Sequence, residues 1–386
     1  MIRAGLADSG GVRPLSRHAR WAVPVVAAGV VVGGVQLSAW ASSTSSGLPT
    51  LTASELLVKA QQAKVDALSG TVRSTAKLGL PALPGQGGAD WSSLVAGTQT
   101  LRVFADGPER QRVDLLGSLT QASIVHDERT VWTWASQTRE VTKATLPTTA
   151  GAAQKSSGSA ASSTPLTPQE AADQALQAIT PTTDVSVGRS AKVAGRPAYD
   201  LRLVPRESAS LVGSVDLYVD AATGLALRTV VTPRGSTEPA VDIGFTSLSL
   251  HAPAASTFRF TPPPGSTVRT VTVPQRSADR QQQVRPTDAP TGTTVGQGWT
   301  TVLVTSALPA ASAVQDSASG DATGLSRALL AAARTVHGDF GTGKLLSTRL
   351  VSVLQTEDGR VFVGAVTPAE LIRVAGATPT SATPVR

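Results

Sequence analysis

The chain has 386 residues, 41% of them hydrophobic and 16% charged, which is long enough for two or three domains with cores of their own and too apolar for a highly charged disordered chain. Cysteine is absent, so disulfides, thiolate nucleophiles, cysteine-ligated zinc, iron–sulfur clusters and a lipid-modified N-terminal cysteine are excluded. Of the net charge of +7, the first twenty residues alone carry +3, with Arg3, Arg13, Arg17 and Arg20 against a single Asp8, and the remaining +4 is too weakly basic to imply a nucleic-acid partner.

Residues 1–20 read as a cytoplasmic basic segment. The apolar run 21–37 follows without a charge, and the next basic residue is Lys59. This asymmetry sends the bulk of the chain outside the cytoplasm. The run is short for a membrane span, and Ala39-Trp40-Ala41 has the small-x-small pattern of a cleavage site, so 21–41 is either a retained signal anchor or a signal peptide. The protein is thus expected at the cell membrane, single-pass with its bulk extracytoplasmic, or secreted if the segment is cleaved.

A first folded unit is expected over 48–271. Thr52 three residues before Glu55 is a capping box, and Leu56, Leu57, Ala60, Ala63 and Ala67 recur at helical spacing, which predicts an amphipathic helix over 52–68. A strand near 71–80 and then strands at 99–106, 110–117, 120–127 and 129–136, separated by turn residues, predict an antiparallel meander. Segment 144–164 is Ala/Ser/Thr/Gly-rich and reads as a flexible insert, and Thr167-Pro168-Gln169-Glu170 opens a short helix to 179. Strands resume at 184–193, 198–205, 214–220, 224–232 and 240–250, with Asp220 to Gly224 as a hairpin loop. In the 214–220 strand, Val215, Leu217 and Val219 alternate with Ser214, Asp216 and Tyr218, which predicts one covered apolar face and one exposed polar face.

Residues 272–298 have linker composition, and 299–376 read as a small α+β domain followed by a disordered tail at 377–386. Within it come a strand at 300–306, a helix through Leu325, Ala328, Leu329 and Ala332 ending near Gly338, strands at 345–356 and 360–367 around Asp358-Gly359, and a closing helix capped at Thr367-Pro368-Ala369-Glu370.

Chemical motifs are near misses. Gly338 to Lys344 matches seven positions of a phosphate-binding loop, but Leu345 stands where a hydroxyl must reach magnesium, and the segment before it reads as helix where a strand is required. His18, His126, His251 and His337 are isolated from one another and from acidic pairs, so no metal site is expected. No cofactor and no catalysis are expected.

Trp132 and Trp134 lie two apart in a strand and so share a face. They either close a sheet–helix core or line an apolar cavity between a curved sheet and its helices. Alternation makes Leu101, Val103, Val113, Leu115, Leu217, Leu227, Ile243 and Phe245 the other inward candidates. Two short helices are few for so many strands, and a curved sheet so thinly covered leaves ligand-sized apolar space.

The helix over 52–68, the meander ending in 130–136, the hairpin 215–228 and the segment Phe258-Arg259-Phe260-Thr261-Pro262-Pro263 resemble the LolA-type lipoprotein-carrier superfamily, which includes the N-terminal domain of the MucB/RseB envelope-stress regulators. The resemblance implies an unclosed antiparallel β-barrel with a helical lid around a cavity that holds lipid or lipoprotein acyl chains. The C-terminal unit resembles the extra domain of actinobacterial members. With no lipobox cysteine, tethering to the cytoplasmic membrane falls to residues 21–37. On the MucB/RseB side, the resemblance implies a stress sensor that binds a membrane regulatory protein, an anti-sigma factor.

Overall fold

The computed structural model describes residues 47–80, 93–94, 96–146, 180–272, 292–305 and 332–378. The basic and apolar N-terminal segments, most of the 144–164 insert, the short helix after Thr167, the helix through Leu325 and the tail beyond 378 lie outside the described residues.

Helix α1 (Ala53–Gln61) starts where the capping box predicts. Glu55 N donates to Thr52 Oγ1 at 3.2 Å, and Thr52 N donates to Glu55 Oε2 at 2.7 Å. The helix stops at Gln61, well short of residue 68, because Ala67 already begins a ten-residue strand paired on both sides. Ladders on both sides from Ser69 onward outweigh the modest helix preference of the strand's alanines.

The first sheet has thirteen strands: β1 (Ala67–Ala76), β2 (Gly97–Asp106), β3 (Arg110–Leu116), β4 (Gln121–Asp127), β5 (Thr130–Ala135), β6 (Glu140–Thr145), β7 (Thr183–Val187), β8 (Ala191–Val193), β9 (Arg196–Pro205), β10 (Val212–Asp220), β11 (Ala226–Pro233), β12 (Val241–Ser249) and β13 (Thr267–Thr272). Their spatial order is β13-β6-β5-β4-β3-β2-β1-β12-β11-β10-β9-β7, with β8 on β9. The sheet does not close, and β13 and β7 are its edges. The expectation of a wholly antiparallel sheet is corrected at one point, since β13 runs parallel to β6. Strand β6 also includes Ala144 and Thr145, which the composition assigned to the insert.

Chain order explains the parallel pair. After β12 the chain crosses β3 and β4 as a strap, with a single 3-10 turn (Ala255–Phe258), and reaches the far edge before pairing. Phe258 is 1% exposed beneath the strap, and Arg112 Nη1 donates to Thr257 O at 3.1 Å from the sheet below.

The second sheet contains β14 (Thr293–Val295), β15 (Val302–Thr305), β16 (Arg334–Gly338), β17 (Gly341–Ser347), β18 (Ser352–Thr356) and β19 (Val361–Gly364), in the order β14-β15-β19-β18-β17-β16. Helix α2 (Pro368–Ala377) buries Leu371, Val374 and Ala375 against Val302, Leu345, Leu354 and Phe362. Three expectations are corrected. Strand β14 falls inside the range assigned to a linker. Arg334–Gly338 is a strand where a helix was expected to end. The 345–356 strand is broken by a turn in which Thr348 Oγ1 accepts from Leu350 N and Val351 N. The phosphate-loop lookalike is therefore a hairpin between two strands, with no helix N-terminus for a phosphate to meet.

The two sheets touch. Ser210 and Val366 form a β-bridge flanked by Leu211 N to Ala365 O and Thr367 N to Ala209 O, both 2.8 Å. Trp299 Nε1 donates to Thr183 Oγ1 at 2.7 Å.

Candidate apolar binding face

Residues directly opposite in an antiparallel ladder project to the same side of the sheet. Leu217 pairs with Thr229, Thr229 with Ile243, Ile243 with Ser74, and Ser74 with Gln99. Leu101 stands two residues beyond Gln99, and it pairs with both Val72 and Leu115, while Val72 also pairs with Phe245 and Val103 with Val113. One face of the sheet therefore carries Leu217, Ile243, Phe245, Leu101, Val103, Val113 and Leu115. Helix α1 lies on this face, since Leu56 packs with Tyr199, Leu201 and Val219, and Leu201 pairs with Leu217.

On this helix face Leu101 and Leu115 are fully buried, forming a cluster with Val72, Leu94, Ala122 and Ile243 against which Val103, Val113 and Phe245 pack half-buried. Six predicted residues thus come together. Leu217 belongs to the neighbouring cluster under α1. Leu227, beside the register shift at Tyr218/Val219, joins Val193 and Ala198 in a third cluster, and Phe245 packs against that one as well.

The tryptophans do not join them. Trp132 pairs with Val125, Val125 with Arg112, and Arg112 with Phe104, the chain neighbour of Val103, so Trp132 and Trp134 project to the opposite, strap-covered face. There the Trp132 ring meets Phe260 at 5.4 Å between centroids, and Lys143 Nζ stands 5.1 Å from its centroid. Grouping the tryptophans with the leucines failed because alternation gives parity within one strand, while the parity between strands depends on register.

A second correction concerns β10. Its polar side was expected to face water, but Ser214 and Asp216 are 5% and 7% exposed. They are covered by their own partners: Arg202 Nη1 lies 3.2 Å from Asp216, and Arg228 forms a two-pronged bond to Asp242 at 2.8 and 2.6 Å with its guanidinium over Tyr218. Long basic side chains laid along a sheet shield it with their methylenes. Burial, and then repulsion from Asp216, push the Asp200 carboxyl up to about 6 although Arg202 opposes this.

Sequence reasoning placed Leu56 on the apolar face of its helix but missed its partners Tyr199 and Leu201, and it missed Leu94 and Val72. Tyr199 was detectable as an aromatic alternating with Leu201 in one strand, whereas Leu94 sits in a 3-10 turn with no periodicity to read. Among the described residues no cluster of His, Asp and Glu could hold a metal ion, and no helix is long and apolar enough to cross a membrane.

No family model and no curated protein matches the chain. Among solved structures, the chain is similar to the MucA/MucB complex of Pseudomonas aeruginosa at 18% identity and a TM-score of 0.39, covering 84% of this chain and 96% of that one. It is also similar to a LolA superfamily protein of Nitrosomonas europaea at 14% identity and a TM-score of 0.22, covering 55% of this chain and 99% of that one. A third, an uncharacterised conserved protein of Thermus thermophilus, has 15% identity and a TM-score of 0.33, with 57% and 99% covered. Two of these three are of the groups that the sequence resembles.

Proposed function

We propose that the chain is a non-catalytic, extracytoplasmic protein that holds acyl chains of a lipid or lipoprotein against the helix face of its larger sheet. The observation carrying this reading is the apolar cluster that Ile243, Phe245, Leu101, Leu115, Val103 and Val113 form on that face beside the Leu217 cluster under α1, with four of these seven residues only half-buried. Removing acyl methylenes from water is worth about 0.8 kcal/mol each, so a long chain binds such a surface without polar chemistry. The test is to purify the protein from cells and weigh it by native mass spectrometry, beside Leu217→Glu and Phe245→Glu. Wild type should carry co-purified lipid, and the variants should stay folded and lose it. A folded wild type with no lipid, and no response of tryptophan fluorescence to added fatty acid, refutes the reading.

A second reading, in which the chain holds a membrane regulatory protein, draws on the edge strand β13. Its residues 267–271 are exposed, with Val268 at 47% and Val271 at 37%, and an edge of this kind is a template for an added strand. Capture of an anti-sigma factor, lost when Arg269 is replaced by proline, would support it.

A further inference from the structure

The apolar helix face does not end where the larger sheet does. Val241 packs both against the Leu101/Leu115/Ile243 cluster and against a further cluster of Val212, Ala240 and Leu350. Leu350 comes from the smaller sheet, is 7% exposed, and brings Trp299, Val351 and Ala365 with it. The larger sheet contributes Val215, Val231 and Val241, which pair in one row, two residues along the strands from the Leu217–Thr229–Ile243 row. Two residues of strand span about 7 Å. Apolar side chains of one sheet thus occupy the far end of a surface that the other sheet presents.

Arg349, next to Leu350, fastens this contact. Its backbone N–H donates to Leu78 O at 2.8 Å, its Nη1 to Lys77 O at 3.2 Å, and its Nη2 to Ser236 Oγ at 3.0 Å and Glu238 O at 2.8 Å, while the Glu238 carboxylate lies 3.5 Å away. One side chain thereby ties the turn after β17 to both chain segments that lead into and out of the Val241 row.

We propose that the smaller sheet is a built-in occupant of the end of the apolar face, and that an acyl chain long enough to pass the Ile243 row competes with it, displacing Leu350 and breaking the Arg349 contacts. The inference rests on the acyl-binding reading and adds its regulation: short chains bind with the smaller sheet docked, and long chains bind by undocking it. Occupancy is thereby converted into exposure of a new surface that includes Leu350, Trp299 and the Val215–Val231–Val241 row.

The test uses the full chain with palmitate and octanoate as probes, in wild type, Arg349→Ala and Leu350→Ala. Calorimetric titration should show palmitate binding roughly ten-fold tighter in Arg349→Ala, because the three side-chain hydrogen bonds that it removes from the competing contact are largely exchanged for bonds to water when the sheets part, with octanoate unchanged. Leu350→Ala should act in the same direction. In wild type, palmitate but not octanoate should accelerate hydrogen exchange at the amides of Leu211, Arg349 and Thr367, whose bonds cross between the sheets. Palmitate binding with these amides still protected, or equal effects of Arg349→Ala on both chain lengths, overturns the competition and leaves acyl binding standing. Failure of every variant to bind either fatty acid refutes the acyl-binding reading itself.

Discussion

Asp220 is 0% exposed and closes the hairpin between β10 and β11. Its carboxylate accepts from Arg196 Nε and Nη2, both at 2.8 Å, from Thr223 N at 2.8 Å and from Thr223 Oγ1 at 2.7 Å. This turn holds Gly224 at φ +79°, where a Cβ would run into the carbonyl of Lys59 in α1, so the turn seats the helix that covers the apolar face. Asp220→Ala leaves a guanidinium and a backbone N–H without their acceptor. Removing one partner of a buried ion pair costs about 3–5 kcal/mol, and because the Arg196 side chain is 28% exposed and can rehydrate, the lower end, about 3 kcal/mol, is expected. Burial opposes ionisation of Asp220, but the bonds from Arg196 and Thr223 outweigh it and hold the carboxyl below the usual range. For a depressed acid, the stabilisation is complete above the unfolded value of about 4 and fades as pH falls through the folded one. Urea unfolding followed by tryptophan fluorescence should therefore show the full deficit at about pH 7 and a shrinking one below about pH 4. Hydrogen exchange in α1 should rise with it. A deficit under about 1 kcal/mol at neutral pH, or one that does not shrink in acid, would refute the argument that this charge pair anchors the turn.

Asp200 should behave oppositely. Its folded value, about 6, lies above the unfolded one, so the native state holds the proton more tightly and stability falls as pH rises from about 4 to about 6. Asp200→Asn should raise the stability at pH 7.5 by about 1–2 kcal/mol after discounting for solvent, and leave it unchanged near pH 3.5, as measured by calorimetry across that range. Phe258→Ala removes the one fully buried strap residue and should cost about 3–5 kcal/mol in urea unfolding, with the Trp132 emission shifting as the Phe260 contact loosens.

Local chemistry was legible wherever short-range signals decide. The Thr52–Glu55 box, the Asp220–Gly224 turn, the hairpin at Asp358-Gly359 and the Thr367 cap are all in place, because each is settled by side chains within a few residues of one another. What could not be read was set by distant partners. Ala63 and Ala67 follow helical spacing, yet β2 and β12 claim Ala67 and its successors for the sheet. Strand β13 is invisible in sequence because its TVRTVT pattern gains its place only from the backbone of β6. The site divided in the same way: alternation identified the apolar residues of β2, β3, β10 and β12, but the two faces could be told apart only from the register that chains Leu217 to Leu101 and Trp132 to Phe104.

The strand order of the larger sheet carries a consequence for how the chain assembles. Strands β1 to β6 pair in sequence order, as do the main-path strands from β7 to β12, so each run is a set of local hairpins, and β1 with β12 is the seam that joins them. Local hairpins close quickly, while a seam between Val72 and Phe245 must wait for chain ends far apart in sequence to meet. The slow step of folding therefore falls at the ladder that unites the Leu101 cluster with Ile243 and Phe245, and the apolar face exists only once that step is complete. The runs β1 to β6 and β7 to β12 share no strand, so two polypeptides carrying one run each keep their own hairpins and can meet to rebuild the seam.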